Sequence, residues 1–377
     1  MKNPFQYGKI AENANFIDRE NDRAFLKQAL SSNLNVILIS PRRWGKSSLV
    51  KQAMKELSEE EKDIRVCFID AYVIRSSTEF YETFAREVLK SCGSQIQSVI
   101  DDIARFLRTI SPKISVSAGP DSEMSFSLDM SRGNKKEMDE VLNLPEKMAK
   151  EKGIRIIVCI DEFQRLALLP DYEEIESRMR SVWQHHQNAS YCLYGSQRHM
   201  MSDIFDSSEK PFYRFGQIYP LQKINRDDWI NYIIERFAST GKSITAECAG
   251  IIVDTVDRHS WYVQQLSSAV WNLCDSVADE VAIEKAIRWC IDINAESYQI
   301  LCESMPSTQI NLLRAIVCGE RELSSSSVLE KYRLGTSANV IKNKKILVRE
   351  DVISFNADGA TFLDPMFRLW VKDNFAK

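Results

Sequence analysis

A short polar loop between an apolar run and a helical pattern constrains this chain more than any other feature. Residues 34–39 read LNVILI, a continuous apolar run typical of a strand buried on both faces of a parallel sheet. The sequence SPRRWGKSS follows, and the apolar spacing from Lys46 to about residue 57 predicts a helix. A strand, a loop ending in Gly-Lys-Ser and a helix together indicate a phosphate-binding loop, or P-loop.

Each part of this loop suits a triphosphate. Backbone N–H groups of the loop and of the helix N-terminus point at the phosphates, where the helix dipole favours negative charge. We expect Lys46 to reach the β- and γ-phosphates and the Ser47 hydroxyl to ligate Mg²⁺. The sequence therefore predicts ATP and Mg²⁺ as cofactors. The other loop residues predicted to line the ATP site are Ser40, Pro41, Arg42, Arg43, Trp44, Gly45 and Ser48.

Three features of the loop leave alternatives open. Ser40 stands where the pattern has glycine, which carries a steric cost if that position needs a positive φ. This departure puts turnover in question more than binding. Of Arg42 and Arg43, one is expected to brace the loop against nearby acids. Trp44 either packs under a helical lid or stacks on adenine, and we favour the packing role.

A second apolar run ends in two acids, as in a Walker B segment. Residues 154–160 read IRIIVCI, and Asp161 and Glu162 follow. We expect Asp161 to hold Mg²⁺ through water, together with Ser47, because this cation prefers hard oxygen ligands. Glu162 is the candidate catalytic residue that orients or polarises the attacking water. The alternative, that both acids only end a strand, is disfavoured because the two motifs occur together in the right order.

Two further side chains are candidates for sensing the γ-phosphate. Ser196 follows a predicted strand and is positioned to contact the γ-phosphate or the attacking water, with a simple turn serine as the equally weighted alternative. Arg214 suits phosphate recognition because its planar guanidinium matches phosphate oxygens. Arg214 would act in cis or from a neighbouring subunit, and a surface salt bridge is its equally weighted alternative.

The order of predicted elements indicates an α/β domain followed by two smaller domains. Strands alternate with helices up to residue 222, which favours a parallel sheet. Inside this P-loop domain, residues 92–134 form either a hairpin excursion or a mobile insertion. Residues 223–304 read as helical, with no convincing strand, and are predicted to form a lid. Residues 305–377, with helices before a strand-turn-strand pair, are predicted to form a winged helix-turn-helix domain.

The elements predicted in the first domain can be stated by residue number. Residues 64–70 are expected to form a second buried strand, and Thr78 is expected to cap the helix that contains it. The predicted strands are residues 34–39, 64–70, 154–160, 190–194 and 217–221. The predicted helices are residues 16–31, 46–57, 78–91, 135–151 and 173–187.

Charge leaves the partner of the winged-helix domain open. The chain has a net charge of −4, so a basic surface for DNA must be local. Residues 306–377 hold eleven lysines and arginines against eight acids. Four of these cations cluster near the expected recognition helix and wing, namely Lys342, Lys344, Lys345 and Arg349. Double-stranded DNA and a protein partner are equally weighted.

Cysteine usage and hydropathy predict a cytoplasmic protein without a membrane segment. The nine cysteines are scattered and none forms a C-x-x-C pair, which suits a reducing compartment. No apolar run approaches the roughly 18 residues that span a bilayer, and no signal peptide is visible. The four histidines are too dispersed to predict a zinc site, and His185 and His186 point in different directions on one helix.

Segments along nearly the whole chain resemble the archaeal-type ATPase family, within the STAND and AAA+-like P-loop ATPases. These segments are FIDRENDRAFLKQAL, SPRRWGKSSLV, IDEFQ, YGSQRHMM, PFYRF and FLDPMFRLWV. The resemblance implies an ASCE-type parallel sheet with helices on both faces, a helical lid and a C-terminal winged helix. It also implies that Arg19, at a helix start, helps hold the nucleotide base. RHSWYVQQL departs from the family's glycine- and proline-containing lid motif, and we do not favour a nucleotide contact by His259.

Three functional hypotheses follow. The first is a slow, regulated, Mg-dependent ATPase that acts as a nucleotide-controlled switch, with DNA or a protein as partner and with nucleotide-dependent oligomers. The second is a DNA-binding regulator in which the nucleotide is a structural ligand with negligible hydrolysis. The third is an interaction scaffold with a degenerate nucleotide site. We favour the first, because the P-loop and the two acids occur together.

Overall fold

The structure, a computed structural model, describes residues 2–11, 16–17, 19–93, 114–118, 124–128, 135–356 and 359–376. These residues form two compact units. The first unit comprises residues 19–42 and 46–222. The second comprises residues 1–18, 43–45 and 223–377.

The first unit is built on a five-stranded parallel sheet with strand order β2-β5-β6-β1-β7. All five strands predicted from the sequence are present in it, which confirms the expected fold class. The strands of this unit are β1 (Val36–Ile39), β2 (Ile64–Asp70), β3 (Ile114–Ala118), β4 (Met124–Leu128), β5 (Arg155–Asp161), β6 (Ala189–Gly195) and β7 (Gln217–Pro220).

The buried strands of the sheet are those in its middle. Every residue of β1 and β6 is buried, as is the interior of β5. In β2 buried and exposed residues alternate, and Phe68 is 37% exposed. The prediction of a buried strand at residues 64–70 is therefore wrong in part. The reason is the position of β2, which lies at the edge of the sheet and, among the described strands, pairs with β5 alone.

Helices connect the strands and pack against the sheet. Those of the first unit are α1 (Glu20–Ser31), α2 (Lys46–Glu60), α3 (Ser77–Ser91), α4 (Lys135–Leu142), α5 (Leu144–Lys152), α6 (Tyr172–Trp183) and α7 (Arg198–Phe205), with a 3₁₀ turn at Phe163–Leu168. The single helix predicted at residues 135–151 is two helices. The break falls just before Pro145, which lacks an N–H donor and is tolerated in the first turn of α5.

The start of α3 also differs from the prediction. Ser76, and not Thr78, caps this helix, because the Ser76 side chain accepts a hydrogen bond of 3.2 Å from the backbone N–H of Glu79. Ser76 has extended backbone angles, as an N-cap requires, whereas Thr78 already lies inside the helix.

Within the predicted insertion, β3 and β4 pair as an antiparallel hairpin, with Ile114 opposite Leu128. This pairing agrees with the hairpin interpretation. Apart from these strands and residues 92–93, the segment 92–134 lies outside the described residues.

The second unit is mainly helical. Its elements are α8 (Arg226–Ala238), β8 (Ser243–Ile244), α9 (Ala246–Thr255), α10 (Ser260–Leu273), β9 (Val277–Ala278), α11 (Glu280–Asp292), α12 (Ala295–Glu303), α13 (Ser307–Val317), α14 (Ser326–Lys331), α15 (Ser337–Arg349), β10 (Ile353–Asn356), β11 (Gly359–Phe362) and α16 (Pro365–Phe375). β8 and β9 form a short parallel pair that the sequence did not predict, because two residues are too few to show alternation. β10 and β11 pair antiparallel after α15, as a winged helix requires.

One cluster of buried apolar side chains runs through this unit. It includes Trp229, Leu266 and Ile283 from the predicted lid and Leu313 and Phe367 from the predicted winged helix. The two segments therefore share a core, and their boundary at residues 304–305 stays a prediction.

Eight of the nine cysteines are buried and Cys318 is exposed; all nine are free thiols. Burial raises the pKa of the Cys67 and Cys159 thiols well above its ordinary value. Buried thiols of this kind serve as small apolar side chains. Among the helices of the described residues, none combines the length and the hydropathy that crossing a bilayer requires.

His186 should make the stability of the fold depend on pH. Its ring nitrogens lie 2.8 Å from the Tyr191 hydroxyl and 3.0 Å from Asn143 Oδ1, and burial lowers its pKa to about 4. The unfolded chain binds this proton near pH 6.5, so the free energy of unfolding should fall as the pH drops from 6.5 to 4, by up to about 3 kcal/mol. Urea unfolding at several pH values measures this slope.

The histidine next to it provides a matched control. His186→Asn should reduce the pH dependence by the share of His186, and His259, whose pKa burial also lowers to about 4, should keep its own share. His185→Asn changes an exposed neighbour and should leave the slope as it is in the unmodified chain. Equal slopes in the unmodified chain and in His186→Asn would show that His186 does not titrate as described.

Candidate functional site

Polar residues lie at the carboxyl ends of three adjacent strands, at one edge of the sheet. Ser40 follows β1, Asp161 and Glu162 lie at the end of β5, and Ser196 follows β6. Because β6 lies between β1 and β5, and all three are parallel, their carboxyl ends meet at this edge. The loop after β1 leads into α2, whose first residue is Lys46.

Direct contacts join five of the predicted site residues. Lys46 Nζ lies 2.6 Å from Glu162 Oε1 and 3.3 Å from Asp161 Oδ1. The Ser47 hydroxyl donates to Asp161 Oδ2 at 2.6 Å, and the Ser196 hydroxyl donates to Glu162 Oε2 at 2.8 Å. We call these five residues the Lys46 cluster.

The carboxylate of Glu162 stays ionised despite partial burial. Burial alone would raise its pKa, but the charge of Lys46 and hydrogen bonds from Lys46, Gln164 and Ser196 outweigh burial and lower it. Lys46 itself is only 7% exposed. The cluster therefore holds a buried ammonium between two carboxylates. A polyanion can bind here when its oxygens replace the carboxylates as partners of the ammonium.

The oxygens of Ser47 and Asp161 fit a magnesium ion. A hydroxyl and a carboxylate oxygen lie side by side at the start of α2, and Mg²⁺ prefers such hard oxygen donors. The backbone N–H of Glu162 donates to Asp161 Oδ1 at 2.8 Å and so helps orient the carboxylate. These two residues would hold the ion.

Ser40 carries no backbone strain from replacing the glycine of the loop pattern. Positive φ angles in this loop fall on Arg43, at 64°, and Gly45, at 91°, and not on Ser40. Ser40 is fully buried, and its hydroxyl donates to the carbonyl of Pro41 at 3.0 Å. The steric cost expected of Ser40 is therefore absent, and it gives no reason to question turnover.

The tip of the loop contacts residues around the start of α10. The Arg43 guanidinium lies 4.6 Å from the centre of the Trp261 ring, and the Trp44 carbonyl accepts a hydrogen bond of 3.3 Å from the Ser260 hydroxyl. Lys223 Nζ lies 5.4 Å from the centre of the Trp44 ring. These contacts agree with the packing role expected of Trp44.

The expected brace between the loop and nearby acids is not seen. Arg42 and Arg43 are exposed, and within the described part of the chain neither forms an ion pair. Arg43 uses an aromatic ring instead, which a planar guanidinium stacks on readily. Pro41 and Ser48 are buried on either side of the loop tip, and Gly45 is half-buried.

Arg19 lies at the start of α1, as expected, with a φ of 62°. Its guanidinium donates to Asp22 at 2.8 Å and to the carbonyl of Gln222 at 3.1 Å, and only 6% of the residue is exposed. Arg19 thus ties α1 to the residues that follow β7. A contact with the nucleotide base stays a prediction.

Arg214 is exposed, and its guanidinium lies 5.1 Å from the centre of the neighbouring Tyr213 ring. Over the residues that the structure describes, it forms no ion pair, so the salt-bridge alternative is not supported. The structure does not join Arg214 to the Lys46 cluster.

Sequence reasoning missed two residues beside the cluster. Gln164 is 1% exposed, and its Nε2 donates to Glu162 Oε2 at 2.5 Å. Gly195, the last residue of β6, leaves the space that the Gln164 side chain fills. The only signal for Gln164 was its place two residues after Glu162 in IDEFQ.

The edge of the sheet and its loop define a P-loop ATPase fold. Residues 16–211 match the family described as an ATPase domain predominantly from Archaea, and residues 296–373 match the family described as a probable winged helix domain. Since the first match covers more than half of the chain, the protein belongs to this archaeal-type ATPase family, as the sequence motifs indicated.

Two solved structures share this fold along nearly the whole chain. The Walker-type ATPase PABY2304 of Pyrococcus abyssi has a TM-score of 0.67 and 18% identity, covering 98% of this chain and 99% of its own. The ORC2 protein of Aeropyrum pernix, solved as ADPNP and ADP complexes, has a TM-score of 0.58 and 15% identity, covering 98% of both chains. Among curated proteins, none matches.

Proposed function

We propose that this protein is a slow, Mg-dependent ATPase that acts as a nucleotide-controlled switch. The observation that carries the proposal is the Lys46 cluster, in which a buried ammonium lies 2.6 Å from Glu162 at the entrance of a P-loop. A cation, a hydroxyl and two carboxylates meet where the family places its ATP.

Binding of ATP would begin with an exchange of partners at Lys46. Phosphate oxygens compete with Glu162 and Asp161 for its ammonium, while loop N–H groups and the start of α2 hold the remaining charge. Ser47 and Asp161 would hold Mg²⁺, which when bound neutralises charge on the phosphates. Lys46 thereby becomes a phosphate ligand.

The same exchange releases one oxygen of Glu162 for catalysis. Without Lys46, Oε1 is free to accept a hydrogen bond from the attacking water and to polarise it. A positioned general base typically contributes 10²- to 10⁴-fold to a rate. Ser196 holds the other oxygen of Glu162, so its role as a sensor would act through that carboxylate.

The contacts of the loop tip are where the proposed switch would respond to the nucleotide. Arg43 and Trp44 contact Trp261 and Ser260 around the start of α10. A change in the loop on binding ATP would therefore alter these contacts, as γ-phosphate contacts do in nucleotide switches.

Arg214 and the family resemblance support a nucleotide-dependent oligomer. An exposed arginine with no ion pair in the described part of its own chain is suited to reach a γ-phosphate in a neighbouring subunit. The finer placement among STAND and AAA+-like ATPases stays part of this proposal. The nine free thiols support a reducing compartment such as the cytoplasm.

Phosphate release from Mg-ATP tests the proposed activity. The purified chain should release phosphate slowly with Mg-ATP and stop when the metal is chelated by EDTA. If the chain binds Mg-ATP but releases no phosphate above the rate in buffer, it is a nucleotide-binding regulator and not an ATPase.

A second candidate function, binding of double-stranded DNA, is supported by the surface of α15. Buried Val340, Asn343 and Leu347 mark the face that packs on the core. The exposed residues at helical spacing form another face of the helix. They are Ala338, Ile341, Lys342, Lys345 and Arg349. Such a face, with cations for phosphates and an apolar side chain for a base edge, suits a major groove.

Fluorescence anisotropy with a labelled duplex tests this second function. The double variant Lys342→Glu and Lys345→Glu should weaken binding and reduce its salt dependence, because each lost phosphate contact lowers the slope of log K against log[salt] by about 0.9. Lys372→Glu, which reverses an exposed charge on α16, is the control and should change little. Equal salt slopes in all three proteins would exclude α15 as a phosphate contact.

A further inference from the structure

We propose that Gln164 is a positioning residue that fixes the carboxylate of Glu162 after Lys46 has turned to a phosphate, and that Gly195 makes room for it. This inference rests on the proposed ATPase function and deepens it. It assigns a role to a residue that neither the P-loop nor the acid pair requires.

The two oxygens of Glu162 have different partners. Oε1 accepts from Lys46, whereas Oε2 accepts from Gln164 Nε2 at 2.5 Å and from the Ser196 hydroxyl at 2.8 Å. When Lys46 exchanges its partner, only Oε1 loses a donor. Gln164 and Ser196 would therefore keep the carboxylate in the same orientation, with Oε1 available to water.

The amide of Gln164 has one usable orientation. Its Nε2 must face Glu162, because the carbonyl oxygen in its place would face a carboxylate and repel it. Its Oε1 is buried without a hydrogen-bond partner. A buried acceptor without a partner is unfavourable, so another interaction of Gln164 must compensate for its unpaired Oε1. The bond to Glu162 supplies that compensation.

The backbone of Glu162 also needs to be held. Its φ of 50° and ψ of 40° lie in the left-handed region, which non-glycine residues occupy only where the surroundings enforce it. The side-chain bonds to Gln164 and Ser196 and the N–H bond to Asp161 surround this residue on several sides. Gln164 is thus part of what enforces the conformation.

Glycine is required at position 195 because a larger side chain would not fit beside Gln164, and not because of its backbone angles. A side chain there would overlap Gln164 Oε1 and come within 2.7 Å of Met201 Sδ. Gly195 lies at the end of β6, opposite Ile39 of β1, and does not have a positive φ. Alanine at this position would push the Gln164 amide away from Glu162 without removing any polar group.

Kinetics of Gln164→Met, which keeps the length and loses the donors, test the inference. We expect kcat to fall about 10- to 100-fold, the effect of a catalytic group misplaced by about 1 Å, with the affinity for Mg-ATP unchanged.

A double-mutant cycle separates Gln164 from its neighbours. Gly195→Ala should lower kcat like Gln164→Met, but should have little further effect when combined with Gln164→Ala, which vacates the space. Full additivity would show that Gly195→Ala acts through Ser196 or the strand and would contradict the role given to Gly195.

A readout that needs no turnover keeps the inference distinct from the proposed function. Crystal structures with a non-hydrolysable ATP analogue and magnesium should show the Glu162 carboxylate held in one orientation in the unmodified chain and turned away from it in Gln164→Met. The same orientation in both proteins overturns the inference even if the chain hydrolyses ATP. A chain that does not hydrolyse ATP but shows the change of orientation overturns only the proposed activity.

Discussion

Replacing Lys46 with alanine is expected to weaken binding of Mg-ATP by roughly 100-fold. The substitution removes a charged donor to the phosphates, and a loss of about 2.8 kcal/mol corresponds to a factor of 100 in Kd. Calorimetric titration of both proteins with Mg-ATP measures the difference. Equal affinities would favour the scaffold hypothesis, with a nucleotide site that no longer functions.

The contacts of Lys46 add a second expectation for this variant. Lys46 is buried between Asp161 and Glu162, so its loss leaves two neighbouring carboxylates without their cation. The pKa of Glu162 should rise, and thermal unfolding must be checked before affinities are compared. Lys55→Ala removes one positive charge from the exposed side of the same helix and should leave the affinity for ATP unchanged.

Replacing Glu162 with glutamine is expected to lower the rate of phosphate release about 10²- to 10³-fold. Glutamine has nearly the same shape but cannot accept a proton from water, and such catalysis contributes 10²- to 10⁴-fold. Affinity for Mg-ATP should be equal or higher, because a negative charge next to the phosphates has been removed. The variant should therefore accumulate with ATP bound.

Single-turnover experiments with labelled ATP separate hydrolysis from product release in this variant. Glu173→Gln makes the same chemical change at an exposed position on α6 and should turn over normally. If phosphate release from Glu162→Gln matches that of the unmodified chain, hydrolysis has been assigned to the wrong residue.

The sequence predicted the central strands of the sheet because each is a run of apolar residues with a clear end. The P-loop and the two acids were predictable for a related reason: parallel strands bring their carboxyl ends together, so residues after β1, β5 and β6 must meet. The contacts of Lys46 with both acids follow from this geometry and from opposite charge.

Other features depend on tertiary position, which the sequence does not show. The apolar run of β2 does not reveal that it forms an edge, and the motif around Ser40 does not reveal its φ angle. Gln164 was visible in IDEFQ, but its bond to Glu162 depends on space left by Gly195, which lies 31 residues further along. In contrast, the break between α4 and α5 could have been predicted from the sequence, because Pro145 favours the first turn of a new helix.

We expect above all that a triphosphate with magnesium binds at the Lys46 cluster. Isothermal titration of the whole, folded protein with ATP, with and without magnesium, tests it most directly. The account predicts saturable heat at a stoichiometry of one per chain, stronger with the metal and lost in Lys46→Ala. Absence of heat with ATP or GTP in the presence of magnesium, from protein whose folding has been verified, would contradict it.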